Sequence, residues 1–240
     1  MCDNTEEENH RRVGGQYYIK PWNSRRRVVD AYNGSDAVLR GQRVQLWDSS
    51  LYKTNQQWSL ERTQLTLPTP QIGQEKSKWC WAASALMVGK TYNPNSTKTQ
   101  SDIVRHVTGS TQNVDGGMWE IRNGCNYISG YTDFKVVSGI LSIEQIIQKL
   151  RQGHPIVLGR YFYKNRYDTK HTHGHAFVIY GYKYYSKDDV RFYVRDPWPV
   201  QSSPWPEHNT GKTVIWKYAD LVNGWDSGYD KGKWAYSLYR

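Results

Sequence analysis

The stretch Gln74-Glu75-Lys76-Ser77-Lys78-Trp79-Cys80-Trp81-Ala82-Ala83-Ser84 decides how this chain is read. Ser77 can cap a helix running through Trp79–Lys90, a run that is apolar on most sides, so the spacing predicts a buried helix. A cysteine in the first turn of such a helix sits where the macrodipole and the free backbone N–H groups favour its thiolate, the reactive form. Gln74, six residues earlier on the approach to the helix, carries an amide that can direct its NH2 to a developing oxyanion. A lone cysteine is more often a small buried hydrophobe, so Cys80 needs partners before it acquires a role.

The partners lie a hundred residues downstream. His175 opens the apolar run Ala176-Phe177-Val178-Ile179-Tyr180-Gly181-Tyr182, and Asp196 closes the next strand before Pro197-Trp198. In an antiparallel hairpin, the start of one strand and the end of the next share one end of the sheet. That places a carboxylate where it can fix the tautomer and orientation of an imidazole. A second chemistry competes in the same place: in His171-Thr172-His173-Gly174-His175, residues i, i+2 and i+4 share a strand face, and three imidazoles can hold zinc with one position open. The zinc reading leaves Gln74 and the Cys80 helix unexplained, and Gly174 suggests a loop there. Neither metal nor cofactor is assigned.

Working outward, further helices are expected over Gln100–Val107 and from Ser142 to Gly153, followed by strands over Ile156–Tyr163, Ala176–Tyr184 and Val190–Arg195. Helices first and an antiparallel sheet afterwards is an α+β pattern. The last 40 residues read as loops and short strands. On the other side of Cys80, Pro68 and Pro70 make residues 63–73 an extended linker. Residues 15–62 hold short β-like runs separated by turn signals such as Asn33-Gly34, and the charged residues 1–14 read as a mobile tail.

Composition bounds these expectations. Leu, Ile, Val and Phe supply only 46 of 240 residues, yet 11 Trp and 19 Tyr are enough to build a core. No apolar run reaches the roughly 20 residues of a membrane span, and residues 1–12 lack the apolar core of a standard secretory signal. Three scattered cysteines exclude a disulfide scaffold. The net charge of +10 is diffuse and without a nucleic-acid-binding motif, so a solvated basic surface is expected rather than a nucleic-acid partner.

Taken together, Gln74 with Cys80, the flanking Trp-Cys-Trp-Ala-Ala, Gly174-His175-Ala176 running to Gly181-Tyr182, and Asp196-Pro197-Trp198 resemble bacterial papain-like cysteine peptidases. The group concerned includes plant-pathogen effector proteases and is related to bacteriocin-processing peptidases. The resemblance covers about residues 70–240. It implies a papain-like cysteine protease fold over residues 74–240, an α+β arrangement in which the nucleophile helix packs on an antiparallel sheet. It also implies Cys80 as nucleophile, His175 as general base and acid, Asp196 as orienter, and Gln74 with the Cys80 backbone N–H as oxyanion hole. The substrate is then a peptide or protein. Acyl transfer or deamidation by the same triad is the rival reaction.

The front segment departs from that family. Tyr17-Tyr18-Ile19, Val28-Val29-Asp30-Ala31, Val44-Gln45-Leu46-Trp47 and Asn55-Gln56-Gln57-Trp58 resemble one repeat of a ricin-type β-trefoil lectin, with Gln56-Gln57-Trp58 meeting its Gln-x-Trp signature. The resemblance implies a small all-β segment with glycan-binding candidates Asp30, Gln45, Trp47, Asn55 and Gln56. A trefoil needs three repeats, and a lone one buries too little surface to stand by itself. It therefore packs on the protease body, is a remnant, or joins two others in a homotrimer through residues 15–62. The expectation is a cysteine peptidase with a lectin-like appendage, acting as a secreted toxin or delivered effector. The alternative is a carbohydrate-binding lectin with an inactive protease-like body.

Overall fold

The computed structural model describes residues 10–13, 16–19, 27–31, 44–48, 63–163, 171–186, 189–199, 208–223 and 232–240. The chain divides into two units, Met1–Arg62 and Thr63–Arg240. In the first, β1 (His10–Val13) pairs antiparallel with β2 (Gln16–Ile19), and β3 (Arg27–Ala31) with β4 (Val44–Asp48). Residues 10–13, expected within a tail, are thus a strand with its own hydrogen-bonded partner.

The second unit runs β5 (Gln64–Thr66), α1 (Cys80–Tyr92), α2 (Gln100–Thr108), α3 (Met118–Ser129), β6 (Lys135–Ser138), α4 (Ile143–Arg151), β7 (Ile156–Tyr163), β8 (His171–Ser186), β9 (Asp189–Asp196), β10 (Lys212–Lys217), α5 (Tyr218–Asn223) and β11 (Lys233–Tyr239). Local chemistry sets most helix ends. Thr99 and Asp102 form a capping box for α2, which ends at Gly109 with φ 77°; Ser142 and Gln145 do the same at the start of α4. In α1 every residue from Trp81 to Gly89 is buried, which makes it the central helix of its layer. Its first turn departs from expectation: Ser77 is not the cap, because its hydroxyl accepts from Asn113 and its carbonyl from Gln74, and Trp79 occupies the N-cap position.

The sheet is ordered β10-β9-β8-β7-β11-β6, with β5 also pairing with β8. Each described pair is antiparallel. One cluster of buried side chains joins α1, α2 and α3 to Val157, Ala176, Val178 and Leu238; the other joins α4 to Leu158, Phe177, Ile179, Phe192, Trp216 and Trp234. Val157 and Val178 are opposed in the ladder, as are Leu158 and Phe177, so alternate residues of β7 and β8 feed opposite clusters. The result is an α+β body, an antiparallel sheet with α1, α2 and α3 packed on one face and α4 on the other.

Three expectations are corrected here. Residues 63–73 are no free linker: β5 joins the sheet, and Gln71 Nε2 donates to the Asp196 carbonyl. β8 begins at His171, not Ala176, because the aromatic end of β7 supplies ladder partners as far as Tyr163. The last 40 residues hold, besides the short strands expected there (β10 and β11, in register with β9 and β7), the helix α5, which was not expected.

Candidate active site

Cys80 is the first residue of α1 and is half-buried. Its flanking tryptophans are fully buried, and both spend their indole N–H on one passing segment: Trp79 donates to the Gln112 carbonyl at 3.0 Å and Trp81 to the Val114 carbonyl at 3.1 Å. Lys78 N–H donates to Asn113 Oδ1, and Lys76 Nζ to the Thr111 carbonyl. The approach to α1 is therefore zipped to residues 111–114. The zip continues into Gly116, where a Cβ would stand 2.6 Å from the Trp81 ring, so only glycine lets the backbone lie on the indole. Gly116, Gly117, Cys80, Tyr161, His175 and Tyr236 are among the walls of a cavity of about 460 Å³.

His175 reaches this cavity from β8. Its Nε2 is 2.8 Å from Asp196 Oδ1, and Cys80 lines the same cavity and acts electrostatically on the same imidazole. Phe177 at 4.4 Å and Trp198 at 5.9 Å meet the ring edge-on and shield it from water. Burial, the strongest influence on His175, disfavours its charged form. Hydrogen bonds and charges from Asp196 and Cys80 outweigh burial and raise the pKa to about 9. Asp196 is 2% exposed. Burial pulls its carboxyl upward, but His175, the Trp198 N–H and Lys212 hold it below its ordinary value. The local sum is a carboxylate gripping an imidazolium beside the Cys80 sulfur.

Gln74 behaves differently from the expectation. It is fully buried, and its Nε2 donates to the carbonyls of Lys76 and Ser77, both at 3.0 Å, while its Oε1 has no hydrogen-bond partner. Both amide hydrogens are spent on the loop that leads into α1. The Gln74 backbone is tied to the far side of the site, since its N–H donates to the Pro197 carbonyl and its own carbonyl accepts from Asn209 Nδ2.

The chain brings Cys80, His175 and Asp196 together and leaves Gln74 beside them. Cys125 lies fully buried between α1 and α3, where burial drives its thiol well above the ordinary value. Of the zinc set, His175 is committed to Asp196, His173 stacks on Phe162 at 4.7 Å, and the His171 side chain lies outside the described residues. Among the sugar candidates, Asp30 and Gln45 oppose each other in the β3–β4 ladder and Trp47 opposes Val28. Their side chains, and Asn55 and Gln56 entirely, lie outside the described residues.

A family model described as the Peptidase_C39 like family matches residues 62–221. This chain belongs to that family. The Peptidase_C39-like chain is thus a cysteine-type peptidase. Among solved structures it is similar to a C39-like peptidase from Bacillus anthracis, at 13% identity over 75% of this chain and 98% of that one, with a TM-score of 0.45. It is similar also to xylellain, a cysteine protease from Xylella fastidiosa, at 10% identity over 75% and 86% of the two chains, TM-score 0.45. A ragweed pollen cysteine protease in its proform shares 14% identity over 75% and 65%, TM-score 0.43. No curated protein matches. Sequence reasoning passed over Gly116, Gly117 and Lys212 in this Peptidase_C39-like chain. The Asp115-Gly116-Gly117 run, read as more than a turn, was the signal for the first two.

Proposed function

We propose that the chain hydrolyses peptide bonds through Cys80, His175 and Asp196. The Cys80 thiolate attacks the scissile carbonyl carbon, and the His175 imidazolium passes its proton to the leaving amine as the thioester forms. His175, now neutral, takes a proton from water, the hydroxide cleaves the thioester, and the acid leaves with the thiolate restored. The Cys80 backbone N–H and a Gln74 amide hydrogen, turned away from its loop carbonyl, receive the oxyanion. The observation that carries the reading is the 2.8 Å bond from a buried Asp196 to His175, whose ring shares one cavity with Cys80 at the start of α1. Mass-mapped labelling with a thiol-reactive peptide-like probe tests it. Cys80 should be modified, prior iodoacetamide should block it, and Cys80→Ala should lose peptide hydrolysis by many orders of magnitude. Wild-type turnover in Cys80→Ala would overturn the assignment.

Residues 15–62 are the lectin-like appendage of this reading, binding glycans or joining three chains, in a secreted toxin or delivered effector. The Asp30–Gln45 pairing in the ladder supports a polar pair held at one level of the β3–β4 ribbon.

A further inference from the structure

We propose that Lys212 is a positioning residue for the candidate active site: its ammonium pins the second oxygen of the Asp196 carboxylate and so sets how that carboxylate holds His175. The inference rests on the Cys80–His175–Asp196 reading and deepens it. Asp196 Oδ1 is committed twice, accepting from His175 Nε2 at 2.8 Å and from the Trp198 N–H at 2.9 Å. Oδ2 lies 3.4 Å from Lys212 Nζ. A carboxylate held only at one oxygen can swing about its Cα–Cβ and Cβ–Cγ bonds; a cation at the other oxygen removes that freedom.

The lysine is placed by the fold rather than by chance of a long side chain. Lys212 is the direct cross-strand partner of Asp196 in the β10–β9 ladder, so the two side chains stand on one face. The preceding residue, Gly211, has φ 67°, and a Cβ there would meet the Asp196 carbonyl oxygen and Gln71 Nε2, both at 2.5 Å. Asn209 Oδ1 accepts the Gly211 N–H while its Nδ2 holds the carbonyls of Gln74 and Pro197. The start of β10 is therefore locked to both the Gln74 loop and the end of β9. A locked backbone delivers the ammonium to one place.

Its charge has a second effect. The titratable groups around His175 come from six elements: Cys80 from α1, Glu120 from α3, Arg160 from β7, His173 on β8 itself, Asp196 from β9 and, on the Asp196 carboxylate, Lys212 from β10; of these Asp196 and Cys80 act directly on the imidazole. Lys78 and Asp115, farther along the rim, neutralise each other at 3.1 Å. Tyr161 and Tyr236 complete the titratable side chains of the cavity. Arg160 is itself turned toward the carbonyls of Asp220 and Leu221, each at 2.8 Å. Arg160 also feels the Asp196 charge, but Lys212 is the cation paired with the carboxylate, at 3.4 Å, and it offsets part of the support that carboxylate gives the imidazolium.

The test reads the imidazolium without needing the natural substrate. Iodoacetate is an anion, so its reaction with a thiolate is favoured by a neighbouring imidazolium and falls as that group loses its proton. Alkylation of the Cys80 peptide is followed by mass against pH in the full chain. The wild type should lose rate as pH rises through about 9. Lys212→Met and Lys212→Gln should each move that limb upward by about half to one pH unit, because the Asp196 charge then acts on His175 undiluted. Lys212→Arg should restore the wild-type limb, and Asp196→Asn should move it downward. Should the limb stay at its wild-type position in both neutral variants while Asp196→Asn shifts it, Lys212 has no positioning role and the pair reading stands. A limb that Asp196→Asn does not move overturns the pair, and this inference with it.

Discussion

On the helical side of the second unit, α1 meets α3 through glycine: a Cβ at Gly89 would stand 2.4 Å from Ile128, and one at Gly124 would stand 2.8 Å from Ala85 and 2.9 Å from Ile103. Cys80 hangs from this tight pair, fixed by residues no farther along the chain than Ile128. On the sheet side, contact is by register. His175, Asp196 and Lys212 belong to three neighbouring strands, and their meeting depends on the β8–β9 and β9–β10 ladders being in step. A small displacement has different consequences in the two places. Loosening α1 against α3 costs stability but leaves each side chain on its own helix face, whereas a one-residue slip in either ladder turns Asp196 or Lys212 to the opposite face of the sheet.

That contrast can be broken at its strongest point first. Asp196→Asn keeps the side-chain shape and removes the charge, and the rate of peptide hydrolysis should fall about 10²–10⁴-fold with little change in KM. The same variant changes stability against pH. The His175 pKa is raised from 6.5 to about 9 in the folded chain, so its contribution is fully present below about pH 6.5 and is lost as pH rises through about 9. Denaturant melts across that window should show the loss in wild type and a flatter profile in Asp196→Asn. A wild-type profile with no slope there would mean that the imidazole is not charged in the fold.

The next test concerns Gln74, which belongs to neither side but bridges them. If one amide N–H leaves its loop carbonyl to bind the oxyanion, Gln74→Ala should lower kcat about 10²–10³-fold. A lower melting temperature with kcat intact would instead make Gln74 a brace of the loop, the role its bonds to Lys76 and Ser77 already describe.

The smallest expected effect sharpens the comparison from the helical side. Gly124→Ala forces a methyl against Ala85 and Ile103 and should cost about 1–3 kcal/mol of unfolding free energy, measured by denaturant titration. The alkaline limb of Cys80 alkylation should not move. A shifted limb would show that α1–α3 packing controls the His175 pair and that the two sides are coupled.

The sequence is readable where structure follows from neighbours along the chain. The α1 run, the Ser142 cap of α4, the alternation of β9 and the hydrophobic runs of β7 and β8 are all visible as periodicity and capping signals. So are Cys80, His175 and Asp196, because one helix start and two strand ends carry them. α3 is absent from the sequence reading although Met118, Ile121, Cys125 and Ile128 share one face, because two glycines precede it, a third interrupts it at Gly124, and glycine carries little helix propensity. Only tertiary contact gives Gly116 and Gly124 their reason, the backbone lying on Trp81 in one case and on Ala85 in the other. β5 was likewise illegible, and the short strands expected in the last 40 residues had no bounds, since such strands form by pairing with β8, β9 and β7 rather than by their own propensity. By itself the sequence determined an α+β body with a cysteine at a helix start, a histidine opening one strand and an aspartate closing the next. The tertiary structure alone decided that Lys212 stands on the Asp196 carboxylate and that Gln74 spends both amide hydrogens on its own loop, because ladder register and buried hydrogen bonds are settled between segments, not within them.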